Sequence, residues 1–115
     1  MIDDEPVILK LFVAILTEQD YAVDTAQNGM EGLKMLNNIP YDLIISDIDM
    51  PVMKGIEFYS KLLEKMPFMK QKIIFMTGNR DIETEMFIKK NGIGCFFKPF
   101  QIPELLNIIS ERILY

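Results

Sequence analysis

The sequence contains no histidine. That removes Ser-His-Asp and Cys-His catalysis, histidine zinc sites and any histidine phosphocarrier, so carboxylates, hydroxyls and lysine must carry whatever chemistry exists. Cysteine occurs once, as Cys95, which cannot form an internal disulfide and fits a reducing, cytoplasmic setting. No uninterrupted apolar run approaches the roughly twenty residues that a membrane-crossing helix needs. Nor does a charged start lead into an apolar stretch and a small-residue cleavage site, so neither a membrane span nor a secretory leader is expected. Positive charge is in the minority: 12 Lys and Arg face 17 Asp and Glu, a net charge of -5. The average field repels phosphate backbones and anionic bilayers, so direct nucleic-acid or membrane binding is not expected.

What is present is an ordinary globular composition, 50% hydrophobic and 25% charged, over 115 residues. A chain of that length buries about two-thirds of its unfolded surface and folds as one domain, expected to occupy residues 1–115, rather than as a multidomain enzyme.

Apolar periodicity then divides the chain. Pro6 opens a helix in which Ile8, Leu11, Phe12, Ile15 and Leu16 recur at three-and-four spacing up to about Gln19. Tyr21 to Ala26 alternates like a strand, Asn28-Gly29 reads as a turn, and Met30, Leu33 and Leu36 mark a second helix. Tyr41 to Asp47 and Lys72 to Met76 hold apolar, β-branched cores suited to strands buried on both faces. Between them Ile56, Tyr59, Leu62, Leu63 and Met66 form a helix stopped by Pro67. Asp81 to Lys90 reads as a fourth helix, Gly92 to Gly94 as a turn, Cys95 to Phe97 as a short strand, and Pro103 to Leu114 as a closing helix. Strand and helix alternating in this way predict an α/β domain with a mostly parallel sheet.

The start departs from that rhythm. A first strand of about five residues is expected, yet only Met1 and Ile2 precede Asp3-Asp4, so the first strand reads as truncated before Met1.

In an open parallel sheet, ligands bind outside the carboxyl ends of the strands. Asp3-Asp4, Asp47, Thr77 and Lys98 all fall at such ends. Three carboxylates gathered there repel one another unless a cation sits among them, and an all-oxygen cluster suits Mg²⁺. Lys98 and Thr77 would complete an anion site of phosphoryl size.

Four segments in order carry a resemblance: Asp3-Asp4-Glu5-Pro6; Ser46-Asp47-Ile48-Asp49-Met50-Pro51 with Gly55; Thr77-Gly78; and Lys98-Pro99-Phe100. Over nearly its whole length the chain resembles the receiver domain of two-component response regulators, with chemotaxis regulators among its kin. The resemblance implies a flavodoxin-like, doubly wound (βα)5 three-layer sandwich with parallel sheet order 2-1-3-4-5. It implies that Asp47 accepts a phosphoryl group from a histidine of a sensor kinase or histidine phosphotransfer protein. Asp4 and Asp47 would ligate Mg²⁺, Asp3 would act through bound water and Asp49 through its backbone carbonyl. Thr77 would donate its hydroxyl to a phosphoryl oxygen, Gly78 would leave room beside it, and Lys98 would neutralise developing charge, turned into the site by a cis bond to Pro99. Slow autodephosphorylation would make the domain a timed switch rather than a turnover enzyme. Output would pass through the fourth helix, fifth strand and fifth helix to a downstream protein or a fused output domain.

Two positions depart from the family pattern. Cys95 stands where an aromatic ring is usual, three residues before Lys98, with Phe96 a candidate for that role if the register slips. Lys54 stands before Gly55 where an acidic residue is common. Two other functions remain open. Ile44 to Asp49 also resembles the nucleophile motif of haloacid-dehalogenase-type phosphohydrolases, although those enzymes usually need more chain. A receiver-like module that binds partners without phosphorylation is the third reading, kept open by Cys95.

Overall fold

Pro6 suits a first helical turn because its ring fixes φ and its missing N–H is not needed there. In the computed structural model, which describes residues 1–49, 53–78 and 81–114, it opens α1 (Pro6–Glu18). This helix buries Leu9, Phe12 and Leu16, while Leu11, expected inward, is 44% exposed; the inward stripe is rotated toward Leu9. The expected turn at Asn28-Gly29 is instead a helix cap: the Asn28 side chain accepts from the Glu31 N–H at 2.9 Å and starts α2 (Gly29–Asn38).

The two apolar runs form β1 (Ile44–Asp47) and β2 (Ile73–Thr77), and every residue of both is buried. Together with β3 (Gly94–Phe97) they make a parallel sheet in the order β1-β2-β3, pairing Asp47 with Met76 and Thr77 with Phe97. Parallel neighbours need crossovers, supplied by α3 (Gly55–Lys65) and α4 (Ile82–Asn91). The chain closes with α5 (Ile102–Leu114). A 3-10 helix at Pro67–Lys72, not expected from the sequence, joins α3 to β2.

Successive strand residues face opposite sides, so the sheet carries two cores. Ile44, Ile73 and Phe75 pack with Leu36, Phe58, Leu62 and Ile88 from α2, α3 and α4. Ile45, Ile74, Met76 and Phe96 pack with Phe12, Leu16, Leu105 and Ile109 from α1 and α5. Helices therefore cover both faces, which is the three-layer α/β arrangement of a flavodoxin-like fold. Among the described residues no helix is long and apolar enough to cross a membrane.

The first and second expected strands are reduced to bridges. Ile2 bridges in parallel to Ala26 on one side and to Ser46 of β1 on the other, so single residues stand in the first two places of the expected order 2-1-3-4-5, and only its last three places are strands among the described residues. The segment Tyr21 to Ala26, expected as a strand, contributes only the Ala26 bridge. Ala26 N–H donates to Met1 O at 2.9 Å and Asp3 N–H to Ala26 O at 3.1 Å, and the ladder ends at Met1, whose ammonium donates to Asp24 O at 3.0 Å. Beyond it lies a groove of about 410 Å³ lined by Leu16, Val23, Leu43, Ile45, Ile109 and Ile113 among others.

One glycine fixes how the chain leaves the sheet toward α3. A Cβ at Gly55 would stand 2.7 Å from Ile48 Cα and 3.0 Å from its carbonyl oxygen. Only glycine allows that approach, which brings the Gly55 N–H to Ile48 O at 2.9 Å and pins the segment after Asp47.

Candidate functional site

Burial of both faces of β1 and β2 leaves their carboxyl ends as the place where polar side chains can gather. Asp47 ends β1, Thr77 ends β2, and Lys98 follows β3 directly. Asp3 is delivered beside them by the Ile2 bridge to β1, with Ile2 N–H donating to Ile45 O at 2.8 Å and Asp47 N–H to Ile2 O at 2.9 Å. Carboxylate oxygens of Asp3, Asp4 and Asp47 lie within 4.8 Å of one another. Of these, Asp3 is wholly buried, Asp47 nearly so, and Asp4 exposed.

Each group is held from a different direction. Asp3 Oδ1 accepts from the Glu5 N–H at 2.9 Å, whereas its buried Oδ2 has no partner among the described residues. Asp47 Oδ1 accepts from the Asp49 N–H at 3.1 Å, and Asp47 Oδ2 from Lys98 Nζ at 3.3 Å. Lys98 N–H in turn donates to Thr77 O at 2.8 Å, and the Lys98-Pro99 peptide bond is cis. A Cβ at Gly78 would come no nearer than 4.0 Å to Lys98 Cβ, so the space beside Thr77 is open.

The electrostatics follow from burial. Desolvation pushes the Asp3 carboxyl above its ordinary range; its Glu5 hydrogen bond opposes this and the Asp47 charge adds to it. Desolvation likewise raises Asp47, against the pull of the Asp49 N–H and Lys98. Clustered, partly orphaned carboxylate oxygens with one ammonium form an acidic pocket whose unmet need is a cation, and an oxygen-only donor set fits a hard divalent ion such as Mg²⁺.

Of the residues expected at the site, Asp3, Asp4, Asp47, Asp49, Thr77 and Lys98 gather here, whereas Cys95 does not; Met50 and Pro51 of the matching segment lie outside the described residues. Lys54 is an exposed cap residue before α3. Cys95 pairs with Phe75 and packs on the core beneath α3 and α4, whereas Phe96 pairs with Met76 and packs on the opposite core, so no register slip exchanges them. Two features were not legible beforehand. Thr77 Oγ1 donates to the side chain of Asp49, at 3.2 Å from Oδ2, a residue expected to contribute only its backbone. Tyr59 is buried between Phe75 and Phe87 with a hydroxyl lacking a partner among the described residues.

Known proteins resemble this chain in sequence and in fold. The chain is 34% identical over 116 residues to a "Probable transcriptional regulator ycf29" of Porphyra purpurea, covering 98% of this chain and 54% of that one. It is 33% identical to "Chemotaxis protein CheY" of Halobacterium salinarum, covering 96% of this chain and 92% of the relative. A receiver domain structure from Methanospirillum hungatei, described as CheY-like, superposes with a TM-score of 0.88 at 31% identity over 97% of this chain and 89% of its own. The chain thus spans about half the length of one such relative (54%) and nearly all of another (92%). The family model described as "Response regulator receiver domain" matches residues 1–110. With that match and this geometry, the chain belongs to the response regulator receiver domain family.

Proposed function

We propose that the domain is a phosphorylation-driven switch in which Asp47 accepts a phosphoryl group from a phosphohistidine of a sensor kinase or phosphotransfer protein. A carboxylate oxygen of Asp47 attacks phosphorus in line, the P–N bond breaks, and its electron pair returns to the imidazole of the donor, which takes up a proton. Asp4 and Asp47, with the Asp49 carbonyl and Asp3 through water, would hold Mg²⁺, which would spread charge on the transferring phosphoryl oxygens. Lys98, already on Asp47 Oδ2 at 3.3 Å, would stabilise the same charge. In the reverse sense, water attacks phosphorus, the P–O bond to Asp47 breaks, and inorganic phosphate leaves with the carboxylate restored. Output passes through the face of α4, β3 and α5 to a downstream protein or fused output domain, by a shift of an existing equilibrium.

The observation that carries this reading is the wholly buried Asp3 with an orphaned Oδ2 beside Asp47, itself clamped by Lys98. A structural carboxylate in that position would be satisfied by the protein; this one is arranged for a ligand. Incubation with Mg²⁺ and acetyl phosphate tests it, with intact mass and released phosphate followed together. The reading predicts one alkali-labile phosphoryl adduct and slow phosphate release. Rapid multiple turnover would favour a phosphohydrolase, and neither adduct nor turnover would favour a binding-only module.

Lys98→Ala separates binding from switching. Removing an ammonium 3.3 Å from Asp47 leaves more negative charge for a cation, so Mg²⁺ affinity is expected to hold or rise. Phosphorylation should then fail to alter the α4 face, read as unchanged amide chemical shifts there on phosphorylation. Native coupling in that variant would remove Lys98 from its role.

A further inference from the structure

Asp49 touches both ends of the site at once. Its N–H donates to Asp47 Oδ1 at 3.1 Å, while its side-chain Oδ2 accepts from Thr77 Oγ1 at 3.2 Å. We propose that the Asp49 carboxylate is a positioning residue, a latch that holds the Thr77 hydroxyl away from Asp47 until Asp47 is phosphorylated and then lets it go. The proposal rests on the phosphoacceptor reading above.

A threonine hydroxyl has a single proton, so donating it to Asp49 and donating it to a phosphoryl oxygen are competing states. Thr77 is wholly buried and its backbone is fixed in β2. A change of acceptor must therefore come from its side chain or from a shift of the segment that follows. Asp49 is exposed, so its carboxylate is solvated by water when the bond opens and loses little. Phosphorylation adds about one further negative charge at Asp47. That charge repels the Asp49 carboxylate and offers Thr77 a stronger acceptor, so both effects push the latch the same way. The strength of the Thr77–Asp49 bond is then subtracted from the stability of the phosphorylated state.

A double-mutant cycle tests this, because simple charge repulsion by Asp49 would act with or without the Thr77 hydroxyl. The readout is the acetyl phosphate concentration giving half-maximal adduct at fixed Mg²⁺, followed by intact mass. Asp49→Ala is expected to lower it by about three- to tenfold, the range of one hydrogen bond. Asp49→Asn, which keeps an oxygen acceptor for Thr77, should shift it less. In a Thr77→Val background Asp49→Ala should have no effect; Thr77→Ala serves as a second background should the valine chain not fold. Equal shifts with and without the hydroxyl would overturn the latch and leave the phosphoacceptor reading standing. No adduct in any chain, the native one included, would overturn both.

Discussion

Asp3→Asn is expected to stabilise the metal-free domain while removing most of its affinity for Mg²⁺. The buried Asp3 Oδ2 has no partner among the described residues and lies in the cluster with Asp47. An amide removes the like charge and supplies an N–H donor toward its neighbours. The gain is on the order of 1–2 kcal/mol, and each kcal/mol raises Tm by roughly 4–8 °C in a small domain. Loss of a carboxylate that orients the metal shell should weaken Mg²⁺ binding by about 10- to 100-fold. Thermal unfolding in chelator and in saturating Mg²⁺ measures both, and a lower Tm in chelator would contradict the account.

The same carboxyls give a pH dependence of definite sign. Asp3 and Asp47 are both raised above an ordinary 3.8, so over that window the native domain binds more protons than the unfolded chain. Their contribution is complete below 3.8 and is lost as pH rises through the raised values. Asp3→Asn should flatten this decline, as should Mg²⁺.

The second large effect concerns the groove beside Met1. Four or five apolar residues joined ahead of Met1 are expected to extend along β1 and raise stability by on the order of 3 kcal/mol, burial outweighing the ordering of the added chain. By the alternation of a parallel ladder, Leu43 C=O and Ile45 N–H are the next groups on that side after the Ile45 O and Asp47 N–H that Ile2 uses. A Gly-Ser extension of equal length supplies no side chains and should give no gain. Equal Tm for the apolar and Gly-Ser chains would show that the groove is not a strand site.

How far the residues foretold the molecule depends on range. Helices α1, α3 and α5 and strands β1 and β2 were legible because each buries a local periodic pattern. The segment from Tyr21 to Ala26 alternates like a strand yet is none, since a strand is a pairing and only Ala26 forms a bridge, to Ile2. Asn28-Gly29 offered turn chemistry that the following helix used as a cap. The gathering of Asp3, Asp4, Asp47, Thr77 and Lys98 into a candidate site was legible because each follows or ends an apolar element. The Thr77–Asp49 bond was not, because it joins side chains 28 residues apart whose approach is set by the β1–β2 register. Cys95 and Phe96 were ambiguous for the same reason, and the pairing with Phe75 and Met76 assigns each to its face.

The most direct measurement is the location of the phosphoryl group. After incubation with Mg²⁺ and acetyl phosphate, the native chain and Asp47→Asn are compared by intact mass, and the native adduct is mapped by peptide mass after borohydride reduction. A single Mg²⁺-dependent phosphoryl adduct on Asp47, absent from Asp47→Asn, is the predicted result. An adduct of equal yield in Asp47→Asn, or one mapped to another residue, would contradict it.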